Sequence, residues 1–402
     1  MDKFPFARRT DWQQETNALN KALEELGARG VDILDLTASN PTSCGFSYPE
    51  GMLSALNSLD NLEYHPDACG ASPARQAVAQ YYSRQKVSLS PSDIVLTAST
   101  SEAYSFLLRL LVNPGEKVLI PRPSYPLFQF LLEINDVEVE HYPLVYERGS
   151  WRLDCQALER CVDDKTKAII LVNPNNPTGS YISRKELDFL NEFCCKHQMA
   201  IISDEVFFDY NLKGADPLSS RGQSPSTDTV SLAGNREALT FVLGGLSKTL
   251  ALPQMKCAWI LASGPNEILQ ASMSRLEIIA DTYLSVNTPV QNALRVWLDH
   301  APEIQRQIIS RVRENGQWLS THLNDHTELL SFQGGWYATL RIPAIKSEEE
   351  WALEFLQEDH VSVYPGYFFD FDSGAYIVLS LLTPVSTFQE AAGRMMKRLA
   401  KI

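Results

Sequence analysis

The run Ala168-Ile169-Ile170-Leu171-Val172 has no polar break, and a helix-length stretch from Arg184 to Gln198 separates it from a second apolar run, Ala200-Ile201-Ile202. A strand apolar on both sides has to be covered on both sides, and a helical connection between two such strands makes them parallel neighbours. The alternation recurs along the chain. Asp93-Ile94-Val95-Leu96-Thr97 leads to an apolar helix from Tyr104 to Leu111, Lys117 to Pro121 leads to a helix from Tyr125, and Glu138 to Leu144 follows. Phe241-Val242-Leu243 and Ala258 to Ala262 read as two more strands. The pattern predicts an α/β fold with a large domain, residues 45–290, built on a mostly parallel seven-stranded sheet flanked by helices.

Past Pro265 helices dominate, including Glu303 to Leu323, and then short strands return at Trp336 to Ile342, Val361 to Tyr364 and Tyr376 to Ser380. With helices from Glu348 to Gln357 and from Thr387 to Ala400, these predict a smaller α+β domain. Residues 1–44 and 291–402 are expected to form it together. Leu19, Leu23 and Leu26 mark a short amphipathic helix in the first segment, and Asp32 to Leu36 a strand.

With 402 residues, 44% of them hydrophobic, the chain can bury a large core. Its formal net charge of -14 argues against a nucleic-acid footprint and against attraction to an anionic membrane surface. No apolar run approaches the roughly 20 residues of a membrane span, and the first residues lack a secretory core, so a cytoplasmic location is expected. The cysteines number seven, without paired spacing, which points to reduced thiols and no metal site.

Lys248 follows the strand Phe241-Val242-Leu243 within Gly244-Gly245-Leu246-Ser247-Lys248-Thr249. Ligands of open α/β sheets bind at the carboxyl ends of strands, so a primary amine there is a candidate nucleophile for an imine; a solvated loop lysine is the plain alternative. Asp204 closes the strand from Ala200 and is either a helix cap or a site residue. Ser99-Thr100-Ser101 stand between a strand and a helix, where free N–H groups and hydroxyls make an anion site, although an ordinary N-cap uses the same residues.

In this order, and with Pro123-Ser124-Tyr125-Pro126 and Asn175-Asn176-Pro177-Thr178-Gly179, the motifs resemble the class I/II aminotransferases, pyridoxal phosphate enzymes of fold type I, over nearly the whole chain. The resemblance implies that Lys248 binds pyridoxal 5'-phosphate as an imine, that Asp204 faces its ring nitrogen, and that Asn176 hydrogen-bonds its ring hydroxyl. It implies that Ser99, Thr100 and Ser101 hold the phosphate, that Tyr125 stacks on the ring, and that Tyr64 reaches the phosphate of a second subunit in a homodimer. Ser39 and Asn40 match a turn beside the substrate. The expected activity is transfer of an amino group between an amino acid and a 2-oxo acid, with a lyase, decarboxylase or racemase on the same fold as the alternative.

Three positions depart from the family pattern. Phe207 stands where a tyrosine is usual, and Lys256, eight residues after Lys248, stands where a phosphate-binding arginine is usual. In Tyr376-Ile377-Val378-Leu379-Ser380 the valine replaces the arginine that clamps the substrate carboxylate. Arg341, which shares a strand face with Tyr337 and Thr339, is the expected substitute, an exposed strand arginine being the alternative. Trp336, Tyr337, Phe207, Tyr367 and Phe368 are candidate pocket walls.

Overall fold

The computed structural model describes residue 4 and residues 6–12, 17–212 and 229–401. Its main sheet runs in the spatial order Ile94–Thr97, Ala258–Ser263, Thr240–Gly245, Ala200–Asp204, Thr166–Val172, Lys117–Arg122, Glu138–Glu147, Ser150–Leu153. The five strands from Thr240–Gly245 across to Glu138–Glu147 run parallel to one another, while Ala258–Ser263 is antiparallel to both of its neighbours. The apolar runs account for this arrangement. Ala200–Asp204, Thr240–Gly245 and Ala258–Ser263 are buried along their whole length, with helices covering both faces of the sheet.

The sheet has eight strands where the sequence predicts seven. The additional strand, Ser150–Leu153, is antiparallel to Glu138–Glu147 and is joined to it through Arg148 and Gly149, at φ 51° and 77°. Two consecutive left-handed residues match the twist of a tight hairpin. An arginine at the first of these positions is not a usual turn signal, so the hairpin is not visible from composition.

Successive strands step in one direction from Lys117–Arg122 to Glu138–Glu147, then return to the other side of Lys117–Arg122 with Thr166–Val172. Such a reversal leaves a crevice beyond the carboxyl ends of the two central strands. The loops that follow them begin at Pro123 and Asn173.

A second sheet faces this crevice. Glu328–Leu329, Tyr337–Arg341, Tyr376–Ser380 and Tyr364–Pro365 form an antiparallel sheet in that order. Leu34–Asp35 pairs in parallel with Val361–Ser362, so the N-terminal segment is fastened to the C-terminal part of the chain. Ser380 donates its backbone N–H to the carbonyl of Leu36 and its hydroxyl to that of Ala38, which sets the next residue, Ser39, against the small sheet. Among the described residues no helix is long and apolar enough to cross a membrane.

The loop after Thr166–Val172 is held against the small-sheet side at Gly179, whose carbonyl accepts from the N–H groups of Gln333 and Gly334. Gly179 has φ 67°, and a Cβ there would lie 2.6 Å from the carbonyl oxygen of Gly334 and 2.7 Å from Cβ of Phe332. Gly179→Ala is expected to lower the unfolding free energy by about 2 kcal/mol or more, from left-handed strain together with the clash, as read by denaturant titration.

Candidate active site

The crevice closes into a cavity of about 260 Å³ lined by residues from both sheets. Asp204 enters it from the end of Ala200–Asp204, Lys248 from the single helical turn Leu246–Thr249, and Asn176 from the loop after Thr166–Val172. Thr100 and Tyr125 come from the large sheet side, Ser39, Tyr337 and Tyr364 from the small.

Burial governs both charged groups. It pushes the Asp204 carboxyl up to about 6, against the hydrogen bonds of the Val206 N–H and the Tyr104 hydroxyl, each 3.2 Å long, and against the attraction of Lys248. Burial likewise pulls the Lys248 amine down to about 8, and the attraction of Asp204 limits that fall. The Lys248 Nζ lies 4.9 Å from the ring centroid of Trp336 and 5.5 Å from that of Phe207. With its basicity lowered this far the amine has a neutral fraction near physiological pH that an ordinary lysine lacks, and the neutral form is the one a nucleophile or proton acceptor uses.

The turn that carries Lys248 is held from behind. Tyr210 donates its hydroxyl to the carbonyl of Lys248, Gln305 donates to that of Thr249 at 3.2 Å, and Tyr48 to that of Ala251 at 2.6 Å. Ala251 has φ 54°, a left-handed conformation that a residue with a Cβ adopts only when its neighbours impose it.

Of the three hydroxyl residues between strand and helix, Thr100 lines the cavity. Ser99 caps the helix Thr100–Leu111 by accepting from the N–H of Glu102 at 3.1 Å, and Ser101 is exposed. The first-turn N–H groups of Thr100 and Ser101 have no carbonyl within the helix to bind, so the N-terminus retains donors for an anion. Tyr125 lines the cavity edge-on to Phe128, with centroids 5.9 Å apart. Asn176 is buried, and its amide oxygen has no protein partner. An unmet buried amide, a carboxylate, an amine of lowered basicity and a helix N-terminus around one cavity fit a phosphorylated pyridine aldehyde.

Other expected residues lie elsewhere. Arg341 is not brought to the cavity; it pairs with Glu328 and packs against the rings of Tyr146 and Tyr376, 6.0 and 5.8 Å away. It does share a face with Tyr337, but four strand residues amount to roughly 13 Å, which takes it beyond the site. Lys256 is exposed, with φ 50°, and is not among the lining residues. Asn40 caps the turn Pro41–Ser43 by accepting from the N–H and hydroxyl of Thr42, at 3.1 and 2.7 Å. Tyr64 is 72% exposed and sits in a separate shallow depression with His65 and Asp67. Of the candidate walls, Phe207, Tyr337 and Phe368 line the cavity, Trp336 is fully buried beneath Lys248, and Tyr367 lies outside.

Two contributors are absent from the sequence reading. Tyr104 is four residues from Thr100 on one helix, so the helix whose N-terminus faces the cavity also directs a hydroxyl to Asp204. Tyr364 is placed by pairing with Val378 at the edge of the small sheet, a long-range contact with no local signal.

Residues 31–384 match the family Aminotransferase class I and II. The chain belongs to that family. A glutamate-pyruvate aminotransferase, AlaA, of Haemophilus influenzae is 26% identical over 393 residues, 95% of this chain and 94% of its own. Human tyrosine aminotransferase is 27% identical over 378 residues, 90% of this chain and 80% of its own. The fold of an alanine aminotransferase from Pyrococcus furiosus matches with a TM-score of 0.85 at 23% identity, covering 99% of this chain and all of that one. The aminotransferase described here is thus a transaminase with the fold type I architecture.

Replacing Tyr104 by Phe removes a hydrogen bond that stabilises ionised Asp204. In the apoprotein the Asp204 carboxyl is expected to titrate about one pH unit higher, followed by carbon-13 NMR of labelled aspartate.

Proposed function

We propose that this transaminase works with pyridoxal 5'-phosphate, moves an amino group between an amino acid and a 2-oxo acid, and does so through Lys248 and Asp204. The observation that carries the reading is that these two residues line one cavity, both buried and shifted toward each other in acidity. When bound, the cofactor supplies an aldehyde that a primary amine can join and a protonated ring that accepts electrons from the substrate α-carbon.

The residues divide the remaining work. Lys248 would hold the group through Nζ, and the same amine would carry the proton of the substrate α-carbon. A group pulled down to about 8 can both take and return a proton near neutrality. Asp204 is the anionic partner for the ring nitrogen, fixed by the Val206 N–H and Tyr104. The Thr100 helix N-terminus, with Ser99 and Ser101 beside it, would hold the phosphate, Asn176 would meet the ring hydroxyl, and Tyr125 would restrict the ring. Phe207 offers no hydroxyl, which leaves the amide of Asn176 to serve that oxygen.

We also infer a homodimer in which Tyr64 serves the partner's site. Its exposure supports this, as do Leu53, Leu59 and Leu62 on the same segment, 71%, 84% and 84% exposed. The seven unpaired thiols support a cytoplasmic location.

Purified wild-type protein is expected to be yellow and to change colour when mixed with an amino-acid donor. Lys248→Ala should lose the covalent absorbance and roughly 10²–10⁴-fold or more of turnover, whereas Arg341→Ala should leave KM and kcat unchanged and cost less than about 1 kcal/mol of stability. Normal turnover by Lys248→Ala would overturn the assignment.

A further inference from the structure

We propose that the amino acid taken by this site carries an uncharged side chain, apolar or aromatic, and that Phe368, Tyr364 and Tyr337 select it against dicarboxylic amino acids. The inference rests on the reading of Lys248 and Asp204 given above and concerns the cavity wall facing them.

Two charged side chains line the cavity among the described residues, and both have work to do there: Lys248 is the reacting amine and Asp204 its anionic neighbour. The neighbouring cations are committed elsewhere. Arg341 pairs with Glu328, Arg122 pairs with Asp372 at 2.9 Å, and Arg311 donates to the carbonyls of Cys44 and Leu382 at 3.2 and 3.0 Å. Val378, which lies between Thr339 and Tyr364 on the small sheet, is fully buried and apolar.

The wall instead consists of hydroxyls and ring faces. Ser39 interacts with the phenols of both Tyr337 and Tyr364. These three neutral groups can donate to one carboxylate, the α-carboxylate of any amino acid. Beyond them the lining is aromatic. Phe368 and Phe369 pack on Tyr364 at centroid distances of 6.3 and 5.8 Å, and Phe207 meets Tyr337 edge-on at 6.3 Å. Asp35 adds negative charge behind Tyr364, with Thr37 donating to that carboxylate at 2.6 Å. A second carboxylate would be stripped of water against ring carbon, in a field that already repels it. A phenyl or branched aliphatic group at the same place gains dispersion and burial.

The test uses wild-type holoenzyme and two unreactive ligands, hydrocinnamate and glutarate, titrated by calorimetry, alongside the absorbance change produced by phenylalanine and by glutamate. Hydrocinnamate is expected to bind roughly a hundredfold tighter than glutarate, since an unpaired buried charge costs several kcal/mol and each tenfold is about 1.4 kcal/mol. Phenylalanine should convert the absorbance at concentrations where glutamate does not. Phe368→Arg, at a half-buried position, should bring the two affinities within tenfold of each other. Equal or tighter glutarate binding by the wild type, with the absorbance intact, overturns this inference and leaves the reading beneath it standing. Absence of any Lys248-dependent absorbance overturns both.

Discussion

A carboxylate and an amine buried in the same cavity are the constraint around which the structure is arranged. Removing either charge from water is unfavourable, and the attraction between them recovers only part of that penalty. The result is visible in their acidities, with Asp204 raised to about 6 and Lys248 lowered to about 8. Near neutral pH each therefore sits close to its own titration. A fold that served only stability would fill this space with apolar side chains, so the pair marks where the protein gives up stability for chemistry.

Much of the surrounding architecture keeps the pair in place. The reversal in strand order opens the crevice, Asp204 arrives at the end of a fully buried strand, and Lys248 arrives on a turn held by Tyr210, Gln305 and Tyr48. Gly179 draws the Asn176 loop toward the small-sheet side. The small sheet, fastened to the N-terminal segment through Leu34–Asp35, then supplies the opposite wall.

The features legible in the sequence are those with a local physical cause. Apolar runs such as Ala168 to Val172 announce buried strands, and a polar or glycine break after each one announces the end where ligands bind, which is where Asp204, Lys248, Asn176 and Thr100 lie, at or just after the ends of strands. Features set by distance along an element or by pairing between distant segments were not legible. Period two identifies the face of Arg341 but not how far its strand carries it past the cavity. The Arg148-Gly149 turn lacks the usual composition of a hairpin, and Tyr364 reaches the site through pairing with Val378. Tyr104 was accessible in principle, since its spacing from Thr100 fits one helix face, yet nothing local identifies Asp204 as its partner.

The most direct measurement is the titration of Lys248 in the apoprotein, by pulse labelling with an amine-specific reagent and mass spectrometry of the peptide that contains it. The account predicts a labelling midpoint near pH 8, because burial disfavours the ammonium form, and a still lower midpoint in Asp204→Asn, because the carboxylate is what opposes that effect. A midpoint at the ordinary lysine value, or one indifferent to Asp204→Asn, would contradict it.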